Sequence, residues 1–122
     1  MGKTILLVED SPTMRSLISA TIAMRGAYEV VEAENGFEAL RMLPKHRVDM
    51  VITDINMPDI NGLELVKVIR GNDNYKNLPL IIVSTEGSEK DRQKGLSLGA
   101  DAYLVKPFVP EELQQLIAKF LA

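Results

Sequence analysis

Two rhythms of apolar residues alternate along this chain, short continuous runs and longer stretches with helical spacing. Thr4-Ile-Leu-Leu-Val8 is a continuous apolar run, short enough for a strand buried on both faces. It ends on Glu9-Asp10, and Ser11-Pro12 then reads as an N-cap followed by proline in the first helical turn. Met14, Leu17, Ile18 and Ile22 recur at helical spacing, and Gly26 supplies the stop. Tyr28-Glu-Val-Val-Glu-Ala33 alternates more, which predicts a strand nearer a sheet edge. Asn35-Gly36 leads into a short helix through Phe37, Leu40 and Leu43, ended by Pro44. The run Met50-Val51-Ile52 predicts a central buried strand that ends on an acid, Asp54, before a turn over Met57-Pro58-Asp59-Ile60-Asn61-Gly62.

The second half repeats the scheme. Gly62 to Arg70 predicts a helix with Leu63, Val66 and Ile69 inward, closed by Gly71-Asn-Asp-Asn74. Leu78 to Ser84 predicts a fourth strand, with Pro79 at its start, where a missing N–H is tolerated. Ser88 to Leu98 predicts a polar helix with Gly99 just past its end, and Ala102 to Val105 a short fifth strand. Pro110 opens a last helix whose Leu113, Leu116, Ile117, Phe120 and Leu121 form a clean apolar stripe. The order βαβαβαβαβα predicts an α/β fold of three layers, a doubly wound parallel sheet of five strands with helices on both faces.

Composition narrows the setting. A chain of 122 residues is expected to form one domain, 1–122, with no linker or repeat. A net charge of -3 gives no general attraction to nucleic acid or anionic membrane. The absence of cysteine excludes disulfides and thiolate metal sites. No apolar run approaches the roughly 20 residues that span a bilayer, so membrane insertion is not expected. Met1 to Val8 runs straight into a strand, unlike a cleaved signal, and Leu6 stands where a myristoylation start needs Ser or Thr. These features predict a soluble protein of a reducing, cytoplasmic compartment.

In a parallel sheet all carboxyl strand ends lie along one edge, where open α/β sheets place their ligands. Glu9 and Asp10 follow the first strand, Asp54 and then Asn56 the third, Ser84 ends the fourth and Lys106-Pro107 follows the fifth. Three clustered carboxylates disfavour one another's ionisation, and a divalent cation resolves that cost. All the donors are hard oxygens, which favours Mg²⁺ over zinc or copper. Mg²⁺ keeps open positions for phosphate, so the rim reads as a phosphoryl site. Asp54 is placed to attack phosphorus, since carboxylates form acyl phosphates. Asp10, with Glu9 behind it, would hold the metal, while Ser84 and Lys106 would hold the remaining phosphoryl oxygens. Blander roles are available to some of these residues. Asp10 can also cap the first helix, and Tyr103 can be an ordinary half-buried strand residue.

Val8-Glu9-Asp10-Ser11-Pro12, Asp54-Ile-Asn-Met-Pro58 with Gly62, Ser84, and Lys106-Pro107-Phe108 occur in order, each at a strand end. In these residues the chain resembles, over its whole length, the receiver domains of the two-component response regulators. The resemblance implies a flavodoxin-like strand order 2-1-3-4-5. It implies that Asp54 is the phosphoacceptor, supplied from a phosphohistidine on a partner histidine kinase or phosphotransfer protein. It adds the Asn56 backbone carbonyl to Glu9, Asp10 and Asp54 as a Mg²⁺ ligand, and makes the Lys106-Pro107 bond cis. Tyr103 becomes an aromatic switch, and Asn56 and Glu86 the pair that tunes self-dephosphorylation. Output would pass to a target protein through the face formed by helix 4, strand 5 and helix 5. With Ser11-Pro-Thr-Met-Arg15, the Asn56 and Glu86 pair most resembles the stand-alone chemotaxis regulators of the flagellar motor. Thr85 departs from the family's usual Ala or Gly, and its branched side chain is expected to slow phosphoryl exchange.

Other functions fit less well. A small-substrate aspartyl-phosphate hydrolase places its nucleophile after the first strand and needs a cap domain. A flavin or nucleotide carrier would cradle phosphate after strand one, where Glu9-Asp10 would repel it. A degenerate receiver, acting only as a docking module, would not need the complete set. The fourth helix is notable for its poverty: Glu89 to Gly95 carries no apolar side chain, so only Leu96 and Leu98 are expected to anchor it, and it should shift at small cost.

Overall fold

The computed structural model describes residues 2–24 and 26–121. Met1 and Ala122, the two ends of the expected domain, lie outside the described residues. Ten main elements alternate in the predicted order: β1 (Lys3–Val8), α1 (Pro12–Ala23), β2 (Tyr28–Ala33), α2 (Gly36–Met42), β3 (Met50–Thr53), α3 (Gly62–Arg70), β4 (Leu80–Ser84), α4 (Glu89–Ser97), β5 (Ala102–Val105) and α5 (Pro110–Leu121). The strands form one sheet in the order β2-β1-β3-β4-β5, and every pair is parallel. Alternating strand residues serve opposite layers. Leu6, Val8, Val51, Leu80 and Ile82 pack with α2, α3 and Ala100, while Ile5, Leu7, Met50, Ile52, Ile81 and Val83 pack with α1 and α5. This explains why β1, β3 and β4 read as unbroken apolar runs: both of their faces are covered. Burying each of these side chains contributes about 1.5–3 kcal/mol. Among the described residues, no helix is long and apolar enough to cross a membrane.

Several expectations need correction, and two share one cause. In α3, Val66 and Ile69 are buried as expected and Leu63 packs partly buried against the same core, but Leu65, left out of the expected stripe, is fully buried with them. In α2 the buried residues are Gly36 and Ala39, and Phe37 is 53% exposed. Each stripe starts from the glycine that opens the helix, because that turn lies hard against neighbouring backbone or side chain. The close approach brings Ala39 and Leu65 inward beside the expected Leu40, Leu43, Leu63, Val66 and Ile69, and leaves Phe37 outside. In α1, Leu17 is 55% exposed, while Ile18, Thr21 and Ile22 face the sheet. Thr21 tolerates burial because its hydroxyl donates to the Leu17 carbonyl at 2.9 Å. The α2 region does not stop dead at Pro44. It tightens into a 3-10 turn over Leu43–Lys45, which accepts proline at its start. β4 begins at Leu80, two residues later than expected, although the Pro79 carbonyl still accepts from Val51 N–H at 2.9 Å.

The fourth helix is seated more closely than its composition suggests. Gly95 is buried, and a Cβ there would stand 2.9 Å from Ile82 Cδ1 and 3.1 Å from Tyr103 Cδ2. The glycine thus does more than weaken helix propensity: it lets α4 lie directly on β4 and β5. Leu96 and Leu98 add the expected apolar contact beside it.

Candidate functional site

The carboxyl edge of the sheet places the acids by extending the strand ladders. Glu9 N–H donates to the Ala33 carbonyl at 3.0 Å, and Asp54 N–H donates to the Val8 carbonyl at 3.1 Å. Both acids therefore stand one residue beyond paired strands, side by side. Asp54 is buried; its Oδ1 accepts from Ile55 N–H at 2.7 Å, which turns Oδ2 toward the cleft. Gly62 is required behind it. A Cβ at Gly62 would lie 2.0 Å from the Asp54 carbonyl oxygen, so any side chain would displace the backbone that carries the acid.

Lys106 arrives from the far side of the sheet. Its N–H donates to the Ser84 carbonyl at 2.8 Å, directly past β5, and the Lys106-Pro107 peptide is cis. Its ammonium lies 2.7 Å from Glu9 Oε1 and 3.4 Å from Asp54 Oδ2. The three side chains are 7%, 2% and 10% exposed, so this is a largely dehydrated triad. Lys106 was expected to serve phosphoryl oxygens, and here its shortest contact is to Glu9. Burial pushes the Glu9 carboxyl above its ordinary value, Asp54 adds to the rise, and the bonds from Lys106 and from Ser11 N–H pull it back.

Asp10 stays exposed at the mouth, and carboxylate oxygens of Glu9, Asp10 and Asp54 all lie within 4.8 Å of one another. Three anionic oxygen donors crowded around one small space suit a hard divalent cation, so the residues present fit Mg²⁺. Ser84 is fully buried at the end of β4, and its hydroxyl oxygen accepts from Glu86 N–H at 3.1 Å. Asn56 and Glu86 meet: the amide Nδ2 donates to Glu86 Oε1 at 3.0 Å, joining the loops after β3 and β4. Thr85 is exposed on the rim between Ser84 and Glu86. The Tyr103 hydroxyl donates to the Glu86 carbonyl, so β5 is tied to the same loop. Burial pushes its phenol above the ordinary value, and the phenol remains a donor at neutral pH.

One contributor drew no role from sequence reasoning. Arg15 on α1 reaches the Glu9 carbonyl and Glu32 on β2, a contact between residues 17 apart that no local pattern announces.

With this geometry in place, known proteins provide a comparison. Residues 5–118 match the family described as response regulator receiver domain. A chemotaxis protein CheY homolog of Campylobacter jejuni (strain 81-176) is 45% identical over 112 residues, covering 91% of this chain and 86% of that protein. The structure of Vibrio cholerae chemotaxis protein CheY4 superposes with a TM-score of 0.89 at 38% identity, covering 98% of this chain and 99% of the other. The receiver domain of the sensor histidine kinase PA1611 from Pseudomonas aeruginosa PAO1, solved with a magnesium ion coordinated in its active site cleft, superposes with a TM-score of 0.89 at 31% identity, covering 99% and 98%.

Proposed function

From the premise that this chain belongs to the response regulator receiver domain family, we propose that it is a phosphorylation-controlled switch in a chemotaxis-type two-component pathway. The observation that carries the reading is the dehydrated group at the carboxyl edge: Asp54 faces Lys106 at 3.4 Å, with the Glu9 and Asp10 carboxylates beside it. In the proposed reaction an Asp54 carboxylate oxygen bonds to phosphorus as the P–N bond of a partner's phosphohistidine breaks. The bond pair returns to the imidazole nitrogen of the histidine kinase or phosphotransfer protein. Glu9, Asp10, Asp54 and the Asn56 backbone carbonyl would hold Mg²⁺, which when bound neutralises charge on the transferring group. The magnesium held by the P. aeruginosa receiver supports that assignment. Lys106 would leave Glu9 for a phosphoryl oxygen, and the Ser84 hydroxyl would take another, releasing its bond to the 84–86 loop.

Tyr103 would report the change, because its hydroxyl is tied to that loop at Glu86. The proposed target-binding face is the one formed by α4, β5 and α5, and it includes a groove between β5 and α5 lined by Tyr103, Leu104, Glu112, Gln115, Leu116 and Lys119. Phosphorylation adds negative charge and acceptor oxygens at Asp54 and needs to tilt two states by only a few kcal/mol. The Asn56–Glu86 bond would set how readily water reaches the phosphoryl group, with Thr85 slowing exchange at the rim. Such a protein carries a signal in the cytoplasm and does not turn over a substrate. The test is direct. Acetyl phosphate with Mg²⁺ should add one phosphoryl group by intact mass, and EDTA or Asp54→Asn should prevent it. Equal labelling of the Asn variant would overturn the assignment.

A further inference from the structure

The geometry points to Arg15 as a positioning residue, and we propose that it sets the affinity of the Glu9–Asp10 pair for Mg²⁺. This rests on the Mg²⁺-dependent reading above and assigns a new part to it. The Arg15 guanidinium is forked between two acceptors: Nη1 donates to the Glu9 backbone carbonyl at 2.9 Å, and Nε donates to Glu32 Oε1 at 3.0 Å. One helical turn on, the Ser19 hydroxyl donates to the other Glu32 oxygen at 3.0 Å. Glu32 lies on β2 opposite Leu7 of β1. The sheet thus anchors the carboxylate, the carboxylate aims the guanidinium, and the guanidinium holds the peptide joining the two acids.

That peptide matters because its plane is rigid, so fixing the Glu9 carbonyl fixes the direction in which Asp10 departs. The rest of Glu9 is already engaged: its N–H with Ala33, its carboxylate with Lys106 and Ser11 N–H. The carbonyl is the remaining handle, and Arg15 occupies it. An ordinary exposed ion pair would contribute little. Here the Arg15 side chain is only 17% exposed and one of its acceptors is backbone. Its charge is met by Glu32, so what it lends the two acids is direction and not attraction for the metal. Groups one step behind metal ligands typically change affinity 10–100-fold when removed.

Isothermal titration of the full chain with Mg²⁺ tests this, alongside urea unfolding in EDTA. Arg15→Ala should weaken Mg²⁺ binding about tenfold, a change that a purely structural role would not produce in protein that remains folded. Arg15→Lys keeps the charge but lacks the fork, and should stay weak; full recovery would show that the fork is dispensable and would overturn the positioning role. Glu32→Gln serves if Arg15→Ala does not fold. It loosens the far end of the fork and should weaken binding severalfold, and an unchanged affinity would overturn the inference. Asp10→Asn separates the two readings. If it loses Mg²⁺ binding while Arg15→Ala and Glu32→Gln do not, only the Arg15 inference falls. If Asp10→Asn binds Mg²⁺ as the parent does, the metal-site reading itself falls, and this one with it.

Discussion

At the scale of single residues, the site is a set of buried charges held in check by one another. Glu9 illustrates the balance. Its carboxyl lies above its ordinary value mainly because burial penalises the ionised form. The folded chain therefore keeps that proton over a pH window where the unfolded chain has already released it. Glu9's contribution to stability is largest below about 4.3 and falls as pH rises through the folded value, after which the full penalty remains. In EDTA, the difference in unfolding free energy between the parent and Glu9→Gln should decline as pH rises from 4 toward neutrality, measured by urea unfolding at each pH. A flat difference would mean that Lys106 fully compensates the burial. Sequence alone marked Glu9, Asp10, Asp54, Ser84 and Lys106 as rim residues, because strand-end position follows from chain order. It did not show that the lysine's shortest contact would be to Glu9, 97 residues away. It also left Arg15 without a role, since a long side chain can aim at any of several neighbours.

At the scale of elements, α4 is the informative case. Its exposed polar surface was plain in the sequence, but its seating depends on one missing side chain. Gly95→Ala improves helix propensity by about 1 kcal/mol. It also inserts a methyl group into contact with Ile82 and the Tyr103 ring. Overpacking of this kind costs about 1–3 kcal/mol, so the variant should be less stable than the parent by about 1 kcal/mol in urea unfolding. The Tyr103 ring resonances should shift in the same variant. A stabilised Gly95→Ala with unmoved resonances would mean that α4 is not packed against Tyr103 in solution. Helix phase was the least legible feature. In α2 and α3 the buried stripe is set by Gly36 and Gly62, whose fit against Ile60 and the Asp54 carbonyl is tertiary. Residues as apolar as Leu17 and Phe37 then face outward, because the sheet beneath each helix has already been filled.

At the scale of the whole molecule, the two ends of the sheet have separate duties. The carboxyl edge carries the charged site, and the amino edge carries staples. Arg70 is the chief staple. It donates to the Gly99 carbonyl at 2.8 Å, to Leu78 at 2.8 Å and to Asp101 Oδ2 at 3.1 Å, and that same oxygen accepts from Leu80 N–H at 2.9 Å. One side chain thereby joins α3, the start of β4 and the turn before β5. Arg70→Ala should cost about 3 kcal/mol in urea unfolding, from several lost bonds and the acceptors left behind. Because the staple is remote from the acids, Mg²⁺ affinity should be unchanged. The order of strands and helices, the two-sided burial of the central strands and the gathering of acids at one rim were all determined by the sequence itself, because hydrophobic period and strand-end position are local properties read along the chain. Tertiary structure alone decided which partner each charge takes, which further residues of α2 and α3 join the buried face and where a missing Cβ permits close approach. Those outcomes depend on distances of a few tenths of an ångström between segments far apart in the chain, and no local pattern encodes them.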